Sequence, residues 1–234
     1  MNNKIVSLIG VIVVAVLAVI GWQLWHTSQP QSTVSDEPSV VVTAPSGDSS
    51  STSSVPQEGE SMSSSPVLVV YFSRAGENYN VGEVDVGNTA LLAQAIIDHT
   101  GADSFQIVPV TAYPQDYQST IELATTERET QARPAYQGEI DISPYQTIFL
   151  GYPIWWGDMP MIVYHFIENH DWQGKTVIPF NTHEGSGNSG TYNTLQTKMT
   201  GSRLLGDGFN LSGTIARTDA GRQQLLDWLD GLEY

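Results

Sequence analysis

The chain predicts an α/β fold in which a parallel sheet lies between two layers of helices, and three observations carry that reading. Apolar runs of strand length alternate with segments whose apolar residues recur at helical spacing. The strand runs are continuously apolar, as in Val67-Leu68-Val69-Val70-Tyr71-Phe72, which marks strands buried on both faces. The strand-then-helix order repeats along the chain, and such βαβ units build a parallel sheet with helices on both sides.

Taken in order, the first strand at residues 67–72 leads to a helix over residues 89–100. That helix has Leu91, Leu92, Ala95 and Ile96 on one face and Gly101 as its stop. A strand at residues 104–110 follows, then a weaker helical segment from Pro114 to about Arg128, then a strand at residues 147–152. Pro160 opens a helix with Ile162, Val163, Phe166 and Ile167 on one side, and a strand at residues 176–182 comes after Gly174. Residues 191–199 read as a helix, and a short strand lies near Arg203-Leu204-Leu205. Asp219 caps a last helix that turns Leu225, Leu226, Leu229 and Leu232 inward.

This unit occupies residues 66–234, a length suited to one domain with one core. Two segments precede it. Residues 5–24 are uncharged and almost continuously apolar, with Lys4 before them and Trp22 and Trp25 near the far end; about 20 residues of helix cross a bilayer. The run is longer than the core of a cleaved signal peptide and lacks a clean small-x-small site behind it, so residues 1–25 read as an uncleaved transmembrane signal-anchor. Lys4 on the near side, against Asp36 and Glu37 beyond, predicts a single-pass protein with a cytoplasmic N-terminus and an extracytoplasmic domain. Residues 26–65, rich in Ser, Thr, Pro and Gly, offer no apolar periodicity and read as a disordered linker.

Composition excludes whole classes of chemistry. With no cysteine among 234 residues there are no disulfides, thiolate metal sites or catalytic thiols. The formal charge is -16; residues 1–65 hold one lysine and five acids, leaving -12 on residues 66–234. An acidic surface of this kind disfavours nucleic-acid binding. His165, His170 and His183 show no spacing with carboxylates that would argue a metal site.

In a parallel sheet of this type the ligand sits outside the carboxyl ends of the strands. Three loops there are unusual. After the first strand, Ser73-Arg74-Ala75-Gly76-Glu77-Asn78 precedes Val86-Gly87-Asn88-Thr89, which runs into a helix; hydroxyls and free amides at a helix N-terminus form an anion site without a lysine. Neither G-x-x-x-x-G-K-[ST] nor G-x-G-x-x-G is present, so nucleotide hydrolysis and dinucleotide binding of those types lack support. After the third strand, Gly151-Tyr152-Pro153-Ile154-Trp155-Trp156-Gly157 places wide flat side chains in a Gly- and Pro-bounded loop. After the fourth, Asn181-Thr182-His183-Glu184-Gly185-Ser186-Gly187 lets backbone approach a ligand edge closely. Ser186 has Glu184 and Asn188, and Ser189 has Gly187 and Thr191, where a nucleophile elbow needs glycine on both sides, which argues against a serine hydrolase. A phosphate end, an aromatic wall and a polar edge together suit a flat, phosphorylated heteroaromatic ligand.

The stretches VLVVYFSRAGENY, VGNTALLAQAI, IFLGYPIWWGDMP and GKTVIPFNTHEGSGNSG resemble the flavodoxin-like FMN-binding family, in its branch with Y-F-S-R, G-Y-P-I-W-W-G and F-x-T-H-x-G-S-G motifs. The resemblance implies a flavodoxin-like three-layer sandwich, with a five-stranded parallel sheet of order 2-1-3-4-5 and FMN bound noncovalently at the strand ends. Carried over by position, it implies that Ser73, Arg74, Gly87, Asn88 and Thr89 hold the phosphate and ribityl region. Pro153, Ile154, Trp155, Trp156 and Gly157 would line the ring, and Thr182, His183, Glu184, Gly185, Ser186 and Gly187 would close its other edge. Two successive tryptophans in extended chain point opposite ways, so one faces the ring and the other packs under the loop; Trp155 is assigned to the ring. The residues between Gly76 and Gly87 are an insertion relative to the compact flavodoxin loop.

Two functional classes follow. One is a membrane-tethered FMN electron carrier or flavin-dependent reductase, acting on a redox partner protein, a quinone or another small acceptor. The other is a non-redox binding or assembly module at the cell surface. In the first, the flavin carries the chemistry, no side chain is catalytic, and the charge of -12 predicts a low potential for the second electron.

Overall fold

The computed structural model describes residues 66–234. The expected anchor (1–25) and linker (26–65) lie outside the described residues, and no helix among those described is long and apolar enough to cross a membrane.

The central sheet runs β4-β1-β7-β8-β10, built from β1 (Val67–Tyr71), β4 (Asp103–Gln106), β7 (Thr147–Pro153), β8 (Thr176–His183) and β10 (Phe209–Ser212), with every neighbouring pair parallel. The helices are α1 (Asn88–Thr100), α2 (Tyr117–Glu129), α3 (Met161–Glu168), α4 (Thr191–Lys198), α5 (Gly213–Ala216) and α6 (Asp219–Asp230). Smaller strands complete the chain: β2 (Gly76–Asn78) and β3 (Gly82–Val84) form an antiparallel hairpin, and β5 (Val108–Pro109) pairs with β6 (Tyr136–Gln137).

The period-2 geometry of a strand divides each apolar run between two cores. Leu68, Val70 and Phe72 of the first strand join Ile148, Leu150 and Tyr152 on one face, against Ile162, Phe166 and Leu195. Val69, Phe149, Ile178 and Phe180 face the other way, against Leu92, Ile96, Leu225 and Leu229. Each fully buried side chain of this kind contributes about 1.5–3 kcal/mol from burial. Gly151 is required by packing: a Cβ there would lie 2.1 Å from the ring of Phe180.

Several elements differ from expectation. The strand expected at residues 104–110 leaves the sheet after Gln106, and its last part turns to pair with β6. The segment from Pro114 becomes helical only at Tyr117, because Asp116 is the N-cap and accepts the N–H of Ser119. The fifth sheet position is shared by two short strands, which makes six strands rather than five. β9 (Arg203–Leu204) pairs with the start of β8, and β10 pairs with its end. Gly206 and Gly208, at φ 60° and 64°, bend the chain out between them. The last helix is capped by Thr218, whose hydroxyl accepts the N–H of Gly221, and Asp219 is its first helical residue.

Candidate functional site

The carboxyl ends of β1, β7 and β8 meet at a cleft of about 250 Å3. Its floor is the start of α1. Gly87 is the N-cap and has no side chain to satisfy the helix amides, but the Ser73 hydroxyl accepts the N–H of Ala90 at 3.0 Å. The N–H groups of Asn88 and Thr89 have no acceptor within the helix, which gives that end a partial positive charge. A Cβ at Gly87 would lie 2.3 Å from the Arg74 carbonyl and 2.4 Å from Ser73 Oγ, so only glycine lets the two loops close together. Arg217 donates to the Val86 carbonyl at 2.9 Å and to Asn88 Oδ1 at 3.0 Å, which fixes the Asn88 amide.

Arg74 acts on the opposite side of this floor. Its guanidinium donates to the carbonyls of Glu77 (2.7 Å), Gln115 (2.8 Å), Pro114 (3.1 Å) and Asp116 (3.4 Å). Partial burial lowers its pKa, and the carboxylates of Asp116 and Glu77 oppose that shift. Arg74 therefore ties the β2–β3 hairpin to the start of α2.

The aromatic wall is a tight turn. Trp155 and Asp158 exchange backbone hydrogen bonds at 2.9 and 3.0 Å. Between them Trp156 and Gly157 both have positive φ, 54° and 74°, as a type I′ turn requires. For a bulky residue such as Trp156 the left-handed region is strained, at about 1–3 kcal/mol. Asp158 Oδ1 secures the exit by accepting from the Met159 N–H at 2.7 Å and the Tyr164 hydroxyl at 2.8 Å. The chain is thus a turn rather than an extended loop. Trp155 takes the packing role, its ring edge-on to Phe72 and Tyr113 at 5.5 and 5.1 Å, while Trp156 is 53% exposed. The Arg128 guanidinium lies 5.6 Å from the centre of the Trp156 ring. Tyr152, just before the turn, is fully buried and shares a hydrogen bond with Thr191, so it belongs to the core.

The polar edge leaves β8. His183 Nδ1 accepts the N–H of Gly185 at 3.0 Å, so its other nitrogen, 3.2 Å from Asn210 Oδ1, is the one that carries hydrogen in the neutral ring. Glu184 Oε1 accepts the N–H of Thr214 at 3.2 Å. Buried Thr89 and Thr182 hydroxyls, 2.8 Å apart, join this edge to the helix floor.

A family model described as flavodoxin matches residues 66–231. The chain belongs to the flavodoxin family. Among solved structures, this flavodoxin domain is similar to a protein described as a flavoprotein from Bacteroides uniformis. The two are 30% identical over 70% of this chain and 97% of that one, with a TM-score of 0.57. A counterpart from Bacteroides eggerthii is 29% identical over 70% of this chain and 96% of that one, with a TM-score of 0.55. A flavoprotein from Lactobacillus acidophilus, solved in complex with FMN, shares the fold at 18% identity, covering 62% of this chain and 92% of that one with a TM-score of 0.50. No curated protein is a match.

The flavodoxin cleft gathers most of the residues singled out from sequence. Ser73, Arg74, Asn88 and Thr89 line its floor, residues 153–157 its aromatic side, and Thr182, His183, Glu184 and Ser186 its polar edge. Gly87, Gly185 and Gly187 are not among the lining residues. Gly87 sits under the Ser73-Arg74 loop, and the Gly185 N–H is engaged by His183. A further wall went unread: Tyr117, Thr120, Ile121 and Ala124 of α2, with Tyr79 of the hairpin, beside Asn78 of the loop already singled out. Their signal was the i, i+3, i+4, i+7 spacing along α2, masked because that face is only partly apolar.

Proposed function

We propose that the chain is an FMN-binding flavodoxin-like protein, held at a membrane by residues 1–25, that serves as an electron carrier or flavin-dependent reductase. The observation that carries this reading is the pairing, across one cleft, of the exposed Trp156 ring with the start of α1, whose N-cap Gly87 has no side chain to occupy the free amides. The residues fit FMN on two counts. The floor is an anion cradle that a Cβ at Gly87 would disrupt, and the opposite side presents a flat aromatic on a hydrogen-bonded two-residue turn.

The N–H groups of Asn88 and Thr89, with the Ser73 hydroxyl, would receive the phosphate without any lysine, and Arg217 would hold Asn88 in place for it. Trp156 would stack on one face of the ring, while Trp155 braces the turn from beneath. Gly157 and residues 182–186 would border the ring edge. The bound flavin would supply transfer of one or two electrons. Around it, Glu184 would place an acidic side chain at the ring from the polar edge. The similar fold solved with FMN from Lactobacillus acidophilus supports the choice of cofactor.

The test is an absorbance scan of the purified full chain, followed by titration with FMN. Bound flavin, or tight uptake of added FMN, is expected; a colourless protein that leaves added FMN fluorescence unchanged overturns the reading. Protease treatment of intact cells reads the membrane side, with cleavage of the domain expected from outside the cytoplasm.

A further inference from the structure

Arg128 meets Trp156 from a side the cleft does not reach. Trp156 lines both the cleft and a smaller cavity of about 10 Å3, whereas Arg128 borders the second and not the first. The Arg128 guanidinium lies 5.6 Å from the centre of the Trp156 ring, and its Nη1 donates to the Trp156 carbonyl at 3.4 Å. One side chain therefore grips both the indole and the backbone of a residue whose φ of 54° a bulky side chain rarely adopts. Such a conformation persists only where the surrounding contacts over-determine it.

The position of Arg128 is itself fixed. It sits in the last turn of α2, where its carbonyl accepts the Gln131 N–H at 3.2 Å and the Gln131 side-chain amide at 2.8 Å. Glu127, its neighbour in the helix, is buried and bonded to Tyr113, whose ring meets Trp155 edge-on at 5.1 Å. The end of α2 is thus anchored to the base of the same turn.

A cation in the last turn of a helix is favourable by itself, because the final carbonyls carry partial negative charge. That accounts for the charge of Arg128 and leaves its placement over the ring unexplained. Among the described residues no carboxylate pairs with it, unlike Arg133, Lys198 and Arg222. A cation over an indole draws on the electron density of the ring. The ring is then a better neighbour for an electron-rich partner stacked on its other face.

We propose that Arg128 is a positioning residue for the flavin: it holds the Trp156 ring in place for stacking and, through that ring, favours the reduced flavin over the oxidised one. The second half rests on the flavin reading, while the grip on Trp156 stands on this chain alone. This local positive charge works against the -12 carried by residues 66–234.

The test titrates the full chain with oxidised FMN, with FMN reduced anaerobically, and with riboflavin, in Arg128→Ala, Arg128→Lys, Trp156→Asn and the Arg128→Ala/Trp156→Asn double variant. In Arg128→Ala the affinity for oxidised FMN is expected to fall about threefold and that for reduced FMN about tenfold. Riboflavin should fall by the same factor as oxidised FMN, because Arg128 acts at the ring, and Arg128→Lys should restore most of the preference for the reduced form. In the Trp156→Asn background, removing Arg128 should change each affinity by less than about twofold. Unchanged affinities in Arg128→Ala overturn the proposal, as does a loss equal for the two redox forms. A loss confined to FMN overturns it by placing the effect at the phosphate, and an undiminished loss in the Trp156→Asn background overturns the route through Trp156. Acrylamide quenching of tryptophan fluorescence in the flavin-free chain reads the grip separately. Arg128→Ala should raise quenching, and the rise should vanish in the double variant; no rise overturns the positioning role. If the chain binds no flavin, the flavin reading falls together with the second half, and the quenching still decides whether Arg128 holds Trp156.

Discussion

Thr89 at the start of α1 and Thr182 at the end of β8 share a hydrogen bond of 2.8 Å between two buried hydroxyls, 93 residues apart in sequence. This one contact holds the floor of the cleft against its polar edge. Replacing either threonine alone with valine leaves the other hydroxyl buried and unpaired, at about 1–3 kcal/mol. Replacing both should be much less costly than the sum. Chemical denaturation of the two single variants and the double reads this directly, and strictly additive losses would argue that the hydroxyls act independently.

The two tryptophans should separate cleanly. Trp155→Ala removes a ring packed edge-on against Phe72 and Tyr113 and should destabilise the domain by about 2–4 kcal/mol. Trp156→Asn removes an exposed ring from a left-handed position that asparagine tolerates, and should stabilise by up to about 1 kcal/mol while weakening FMN at least tenfold. Denaturation midpoints and FMN titration are the measurements. Equal FMN affinity in Trp156→Asn and the unmodified chain would remove Trp156 from the ring-stacking role.

Arg217 touches the Val86 carbonyl and Asn88 Oδ1, and it lies outside the cleft. Arg217→Ala should free the Asn88 amide and weaken FMN several-fold, with riboflavin, which lacks the phosphate, affected far less. Isothermal titration with both compounds distinguishes this from a general loosening, in which the two affinities would drop together.

Acid stability should depend on Glu168. A hydrogen bond from Arg133 first, then its charge and Lys198, draw the Glu168 carboxyl down from 4.5 to about 2. A carboxylate depressed in the folded state contributes stability above its unfolded pKa and loses it as pH falls, here between about 4.5 and 2. Because Glu168 is more than a third exposed, the effect should stay below about 1 kcal/mol. Glu127 opposes it: burial raises its carboxyl despite the Tyr113 hydroxyl donating to it, so its contribution is present at low pH and declines as pH rises through the raised value. Denaturation curves of Glu168→Gln across pH 2 to 6 should be flatter than those of the unmodified chain by about that amount.

The charge of -12 on residues 66–234 predicts that the second electron enters bound FMN at a potential below that of the free cofactor. Binding of a basic partner should weaken as salt rises. A redox titration of the FMN-loaded chain reads the first, and a second-electron potential at or above that of free FMN would sink the electrostatic argument.

The layers of this domain were legible because strand and helix periods are local properties. Val67 to Phe72, residues 147–152 and 176–182, and the apolar faces of α1, α3 and α6 could be read from neighbours a few positions away. The loops that build the cleft were legible too, since Gly87, Trp156 and the residues after Thr182 combine types that a buried core has little use for. What escaped was set by partners distant in sequence. The fifth sheet position breaks into β9 and β10 because β8 offers an edge long enough for two short strands. The hairpin carrying Tyr79 is held by Arg74 and Gln115, whose meeting requires the folded chain.

The amino-acid sequence by itself determined the α/β class, the flavodoxin resemblance and the three loops that build the cleft, because each depends on periodicity or on residue types within a short stretch. Only the tertiary structure decided that Trp155 braces while Trp156 faces outward, and that α2 and the hairpin supply another aromatic wall. Those outcomes depend on a positive φ at Trp156 and on contacts between segments about 40 residues apart, such as Arg74 with the carbonyls before α2, which local pattern does not encode.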